Sequence, residues 1–139
     1  MNKADFYISN CTWGIIMTLI GAVVAAVLVC LGHKPTRHGG CFCFEVGKNW
    51  GAISLGLVMV CSKGSDEHTK NHEFGHSVQN MYFGPLFIFL VAIPSFVRCQ
   101  YYNWIYTHRP EKAYKLPDYE SIWFERDATQ LGIEAIKYW

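Results

Sequence analysis

Apolar and polar positions fall in blocks along this chain, and the blocks predict its elements. From Trp13 to Leu31 there is no charged residue. Nineteen helical residues rise about 28 Å, close to the thickness of a hydrocarbon core, so the stretch reads as a transmembrane helix. It is too long for the apolar region of a secretory signal, and Lys3 is the single basic residue before it. A polar linker, residues 33 to 40, follows. Residues 41 to 46 and 52 to 61 are rich in Phe, Val, Ile and Leu and flank Gly47-Lys48-Asn49-Trp50-Gly51. They predict a β-hairpin with a five-residue turn.

Ser65-Asp66-Glu67 offers a capping side chain and acidic residues for the first turn of the next helix. Met81 to Val97 is a second apolar run, broken by Gly84-Pro85 and Pro94. Its length and its prolines predict a broken or re-entrant segment instead of a straight crossing. Residues 99 to 119 are rich in Tyr and Trp, as at a membrane interface. Ser121 to Trp139 predicts a final helix. The fold class expected is a mainly α membrane protein with a small β-hairpin (α+β), divided into an N-terminal segment and transmembrane helix (1–32) and a membrane-associated domain (33–139).

Composition sharpens this. The chain of 139 residues is 51% hydrophobic and 16% aromatic but only 17% charged, against about 25% charged in ordinary globular domains. That skew points to a lipid bilayer. A formal charge of +1, with no basic stripe, excludes nucleic acid as the expected partner. Lys34 and Arg37 after the first apolar run, and Arg98, Arg109, Lys112 and Lys115 after the second, place both flanks on the cytoplasmic side. Cys11, Cys30, Cys41, Cys43, Cys61 and Cys99 are scattered through apolar runs and read as free thiols, with Cys41 and Cys43 conceivable as soft-metal ligands. Gly21, Ala22, Ala25 and Ala26 form a small-residue face that permits a homo-oligomer without requiring one.

The chemistry lies in His72-Glu73-Phe74-Gly75-His76. Histidines four apart on a helix share one face and can reach one metal, and the intervening glutamate can take a proton from water there. Composition alone would produce the pattern about 0.01 times in such a chain. His68 shares the face but lies about 12 Å of helical rise from His76, so it reads as a rim residue. A catalytic zinc wants a third protein ligand. Glu120, Glu125, Asp127, His108 and Glu134 are available, and Glu125 fits best because Ala128, one turn on, lets its helix approach the motif helix closely. Asp127 lies roughly 200° around that helix and faces away.

His72-Glu73-x-x-His76 followed by Glu125-x-x-Ala128 resembles the gluzincin zinc metallopeptidases, in particular the integral-membrane branch that processes membrane proteins and prenylated peptides. A second resemblance covers about residues 40 to 132. It rests on Gly47 to Gly51, the motif, Gly84-Pro85-Leu86, Ile93-Pro94-Ser95 and Pro117 to Glu125, and is to a group of short uncharacterised bacterial membrane proteins. The first resemblance implies a Zn2+ cofactor held by His72, His76 and Glu125, with Glu73 as general base. It further implies hydrolysis of peptide bonds in a membrane-associated or extended peptide substrate, lying along a strand within residues 52 to 60. Oxyanion donors available are Tyr101, Tyr102, Tyr106, His108 and Tyr119. The family carries Glu-x-x-Ala-Asp, where the Asp orients a zinc-bound histidine; here Thr129 stands at that place, and either Thr129 or Asp127 takes the role. The competing expectation is a non-catalytic membrane interaction or immunity-type protein that retains the zinc site. The location expected is the bacterial cell membrane, with the active site facing the cytoplasm.

Overall fold

The computed structural model describes residues 1–139. Its elements in chain order are α1 (Lys3–Cys11), α2 (Ile15–Cys30), β1 (Thr36–His38), β2 (Cys41–Glu45), β3 (Ala52–Leu55), β4 (Val58–Cys61), α3 (Glu67–Phe83), α4 (Ile93–His108) and α5 (Trp123–Ala135). The protein is mainly helical, with one small sheet, and so α+β in class.

The sheet departs from the expected hairpin. Its order is β1-β2-β4-β3. β2 pairs with β4 in parallel, Phe42 opposite Val58 and Glu45 opposite Cys61, while the antiparallel hairpins are β1–β2 and β3–β4. The apolar run 52–61 is divided because Gly56 takes a left-handed conformation (φ 66°), which folds β4 back between β3 and β2. β3 is thereby left as an edge strand.

Side-chain alternation divides the sheet between two layers. Cys41, Cys43, Met59 and Cys61 point to one face and pack with Phe6 of α1 and Phe74 and Val78 of α3. Phe44, Val58 and Val60 point to the other and meet Val24, Ala25 and Leu28 of α2. The cysteines are all free, with Cys43 Sγ and Cys61 Sγ 4.0 Å apart.

The membrane helix expected over residues 13–31 is shorter than its apolar run. α2 has 16 residues, meets α1 at 86°, and no single helix of the protein is long and apolar enough to cross a membrane. α1 belongs to the core: Phe6 is fully buried, and the Asn10 amide donates to the Ser77 carbonyl. The second apolar run is broken, as its prolines suggest. α3 stops at Gly84 (φ 53°), a 3-10 turn covers Gly84–Leu86, and a π-helical stretch, Ile88–Ala92, leads into α4. The chain turns through 119° between the two halves. The π stretch lies directly before Pro94, whose missing N–H and ring disturb the regular ladder there.

α3 is the central element. Asp66 caps it, its carboxylate accepting from the Thr69 N–H at 2.8 Å. All residues from Asn71 to Asn80 are buried although seven of these ten are polar or charged types. α5 crosses α3 so closely that a Cβ on Gly75 would overlap the Ala128 carbonyl, and one on Gly132 would overlap the Asn71 carbonyl. Both helices therefore need glycine at the crossing. Gly75→Ala should lose about 3 kcal/mol from overpacking, exceeding the roughly 1 kcal/mol that alanine gains in a helix interior. Thermal or chemical unfolding measures this, and equal or greater stability of the variant would contradict the packing described.

Candidate metal centre

The close crossing brings Glu125 of α5 over the turn of α3 that carries both histidines. His72, His76 and Glu125 form a buried group whose nearest ligand atoms all lie within 4.8 Å of one another. The Nε2 atoms of His72 and His76 are 3.0 Å and 3.3 Å from Oε2 of Glu125. Neither contact has the direction of a hydrogen bond, and both Glu125 oxygens are buried without a hydrogen-bonding partner. A fully buried carboxylate left so is costly. Ligands about 2.0–2.2 Å from one tetrahedral ion stand roughly 3.3–3.5 Å apart, close to the spacing here. The residues present thus fit a metal ion, and the donors converge on a common point more than on each other.

The outer hydrogen bonds fix both imidazoles for this. His76 Nδ1 donates to Oε1 of Gln79 at 2.8 Å, and the Gln79 amide donates in turn to the Phe124 carbonyl at 2.8 Å. His72 Nδ1 donates to Oγ1 of Thr129 at 2.8 Å, because the Thr129 hydroxyl gives its own proton to the Glu125 carbonyl at 3.3 Å. With each Nδ1 protonated, each Nε2 carries the lone pair. Of the two residues left open by the sequence, Thr129 contacts His72. Asp127 is half-buried beside Arg126, 4.0 Å away, and turns from the site.

Charges in the group act strongly on one another. Burial raises the Glu125 carboxyl, but the imidazoles of His72 and His76 more than offset this and hold it well below the usual carboxylate range. Burial lowers the His76 imidazole, while Glu125 and Glu73 outweigh it and raise it on balance. Glu73, whose side chain makes no hydrogen bond, is pushed up by burial, partly countered by His76 and His72. A cation at the centre would draw Glu73 back toward its ionised form.

A cavity of about 320 Å³ opens at this point, with His72, Glu73 and His76 on its wall. β3 runs along one side from Ala52 to Leu55, and Tyr119, Ser95 and Cys99 lie on another. Tyr119 donates weakly to the Ser95 carbonyl at 3.5 Å, and burial raises its phenol. His68 stands at the rim, 2.8 Å from Oε1 of Glu120. The remaining sequence candidates lie elsewhere. Tyr101, Tyr106 and His108 are exposed on α4, His108 stacked on Trp104, and Tyr102 donates to the Pro117 carbonyl. Glu134 is exposed on α5. Gln79 escaped the sequence reading, although its position three residues beyond His76 marks it as a neighbour on that face.

Comparison with protein-family models, with curated proteins and with solved structures finds no match to this chain.

Thr129→Val keeps the shape of the side chain but removes the acceptor for His72 Nδ1, so metal affinity should fall about ten- to a hundredfold. Asp127→Asn should leave it unchanged. Competition against a chelator reads both, and the opposite ranking would assign the orienting role to Asp127.

Proposed function

We propose that this protein is a membrane-bound zinc metallopeptidase that hydrolyses peptide bonds of an extended or membrane-associated substrate. The observation that carries the reading is the convergence of His72, His76 and Glu125 beside an unpartnered Glu73 on the wall of one cavity. Two imidazoles and one carboxylate, with room for a water or substrate oxygen, are the donor set of catalytic zinc, whereas closed structural sites use four protein ligands, mostly Cys and His. Zinc held by His72, His76 and Glu125 would supply Lewis acidity and would bring the pKa of water to about 7.

The chain's own residues then have distinct tasks. Glu73 takes the proton of the attacking water and returns it to the departing amine. Tyr119, which lines the same cavity, donates to the oxygen that becomes negative as the carbonyl is attacked. Arg98 fixes it from behind, its Nε donating to the Tyr119 carbonyl at 3.0 Å. β3, an edge strand along the cavity, offers backbone groups to an extended peptide.

The membrane part of the reading is supported by where apolar side chains are left uncovered. Leu19, Val23 and Val27 of α2, and Phe89, Phe96 and Val97 around the start of α4, are all more than half exposed. An apolar surface of this extent is typical of contact with lipid or another protein. The bent pairs α1–α2 and α3–α4 are each apolar enough together to enter a bilayer. The cations at the ends of both runs favour cytoplasmic placement of the site, in the cell membrane of a bacterium.

Glu73→Gln tests the reading. Bound zinc should be retained while cleavage of membrane-associated peptides falls about a thousandfold, the scale of general acid–base catalysis. Tyr119→Phe should lower kcat about a hundredfold with KM little changed. Unchanged biological activity of Glu73→Gln would reject hydrolysis and favour a non-catalytic interaction protein that keeps the metal.

A further inference from the structure

A second cavity lies against a different face of α4. Ala92, Ser95 and Cys99 turn toward the metal centre, whereas Pro94, Val97, Arg98 and Tyr101 line an open groove of about 570 Å³. Its other wall is the returning chain, with Lys115, Leu116, Ile122 and Phe124. The groove's lining combines two kinds of side chain. Its apolar members include Val97, 58% exposed and part of the uncovered apolar surface near the start of α4. Its charged members are two cations, and no carboxylate lines it.

The donors of those cations are only partly used. Arg98 spends Nε on the Tyr119 carbonyl and Nη2 on the Asp118 carbonyl and Ser121 Oγ, at 3.0, 2.9 and 3.4 Å. Both N–H groups of its Nη1 are left open. The Lys115 ammonium makes no ion pair and lies 5.6 Å from the Tyr114 ring centre. The Asp118 carboxylate accepts from the Glu120 N–H at 3.2 Å through one oxygen and is not part of the groove's lining. The groove therefore presents positive charge and free donors within an apolar trough, which fits an anion attached to a hydrocarbon chain.

We propose that this groove binds an anionic phospholipid, its phosphate at Arg98 and Lys115 and the start of its acyl chain along Val97, Leu116 and Ile122. The site rests on the membrane part of the reading above and is independent of the metal. It also has a consequence for the metal centre. The groove wall from Lys115 to Phe124 runs directly into Glu125, so an occupant that joins α4 to this wall steadies the segment presenting both Tyr119 and the third ligand.

Native mass spectrometry of the full chain in neutral detergent tests the proposal. The probes are phosphatidylglycerol, phosphatidylcholine with the same acyl chains, and inorganic phosphate. Phosphatidylglycerol should bind about thirtyfold more tightly than phosphatidylcholine, the scale expected of two cations near a lipid headgroup. Because Arg98 also caps two carbonyls, Lys115→Glu is the informative charge variant, and it should abolish the preference. Val97→Asp, which changes the apolar wall alone, should weaken both lipids. Equal binding of the two lipids, or an undiminished preference in Lys115→Glu, overturns the site. Inorganic phosphate bound as tightly as phosphatidylglycerol overturns it in favour of a free-anion site. Flotation with liposomes separately reads the membrane assignment, so a chain that stays in solution while binding lipid in detergent removes only that part.

Discussion

The structure depends on how near the backbones of α3 and α5 come to each other. Glu125 can reach the two histidines only because Gly75 and Gly132 have no Cβ where the Ala128 and Asn71 carbonyls lie. That approach sets the 3.0 Å and 3.3 Å contacts to His72 and His76. It also puts Thr129, one turn beyond Glu125, at His72 Nδ1, and brings the Phe124 carbonyl to the Gln79 amide. The three residues that could hold a metal and the groups that orient them thus share one cause, a crossing of two small-residue faces. A larger residue at either glycine would push the helices apart and loosen both shells together.

Around this crossing the usual distribution of polarity is inverted. The helix buried on every side is α3, whose middle carries Asn71, His72, Glu73, Ser77, Gln79 and Asn80, while the more apolar α2 leaves much of its surface uncovered. Burying so many polar groups is tolerable only where each finds a partner. Asn80 donates to Asn10 and to the Gly14 carbonyl, and Ser77 shares a hydrogen bond with Ser54. Both oxygens of Glu125, the Glu73 carboxylate and Asn80 Oδ1 lack such a partner, and a cation beside Glu125 would resolve the first. The uncovered apolar helices fit the same account, since a lipid environment would cover what the small core leaves outside.

Much of this was legible in the residues themselves. The motif spacing, a helix start at Ser65-Asp66-Glu67, though with Asp66 and not Ser65 as the cap, and the broken run around Gly84-Pro85 and Pro94 act locally, within one or two helical turns, and Ala128 marks by its small size the face that admits Glu125. The sheet was less legible. Periodicity cannot tell that β4 inserts between β2 and β3, because that order depends on long-range pairing once Gly56 turns the chain. The apolar length of residues 13–31 likewise did not disclose the 86° bend between α1 and α2. Among five aromatic or histidine donors, only the fold could separate Tyr119 at the cavity from Tyr106 and His108 outside it, since a short chain reversal at residues 110–121 decides the matter. Asp127 was recognised from helical angle as facing away, but the partner that replaces it became plain only from the Thr129 hydroxyl.

Metal analysis of the purified, full-length protein examines the central claim most directly. After mild exchange against zinc and removal of excess ion, the account predicts close to one zinc per chain, and less than a tenth of that in His76→Ala prepared alongside. A wild-type protein that is folded yet retains no metal, or that retains as much after loss of His76, would contradict it.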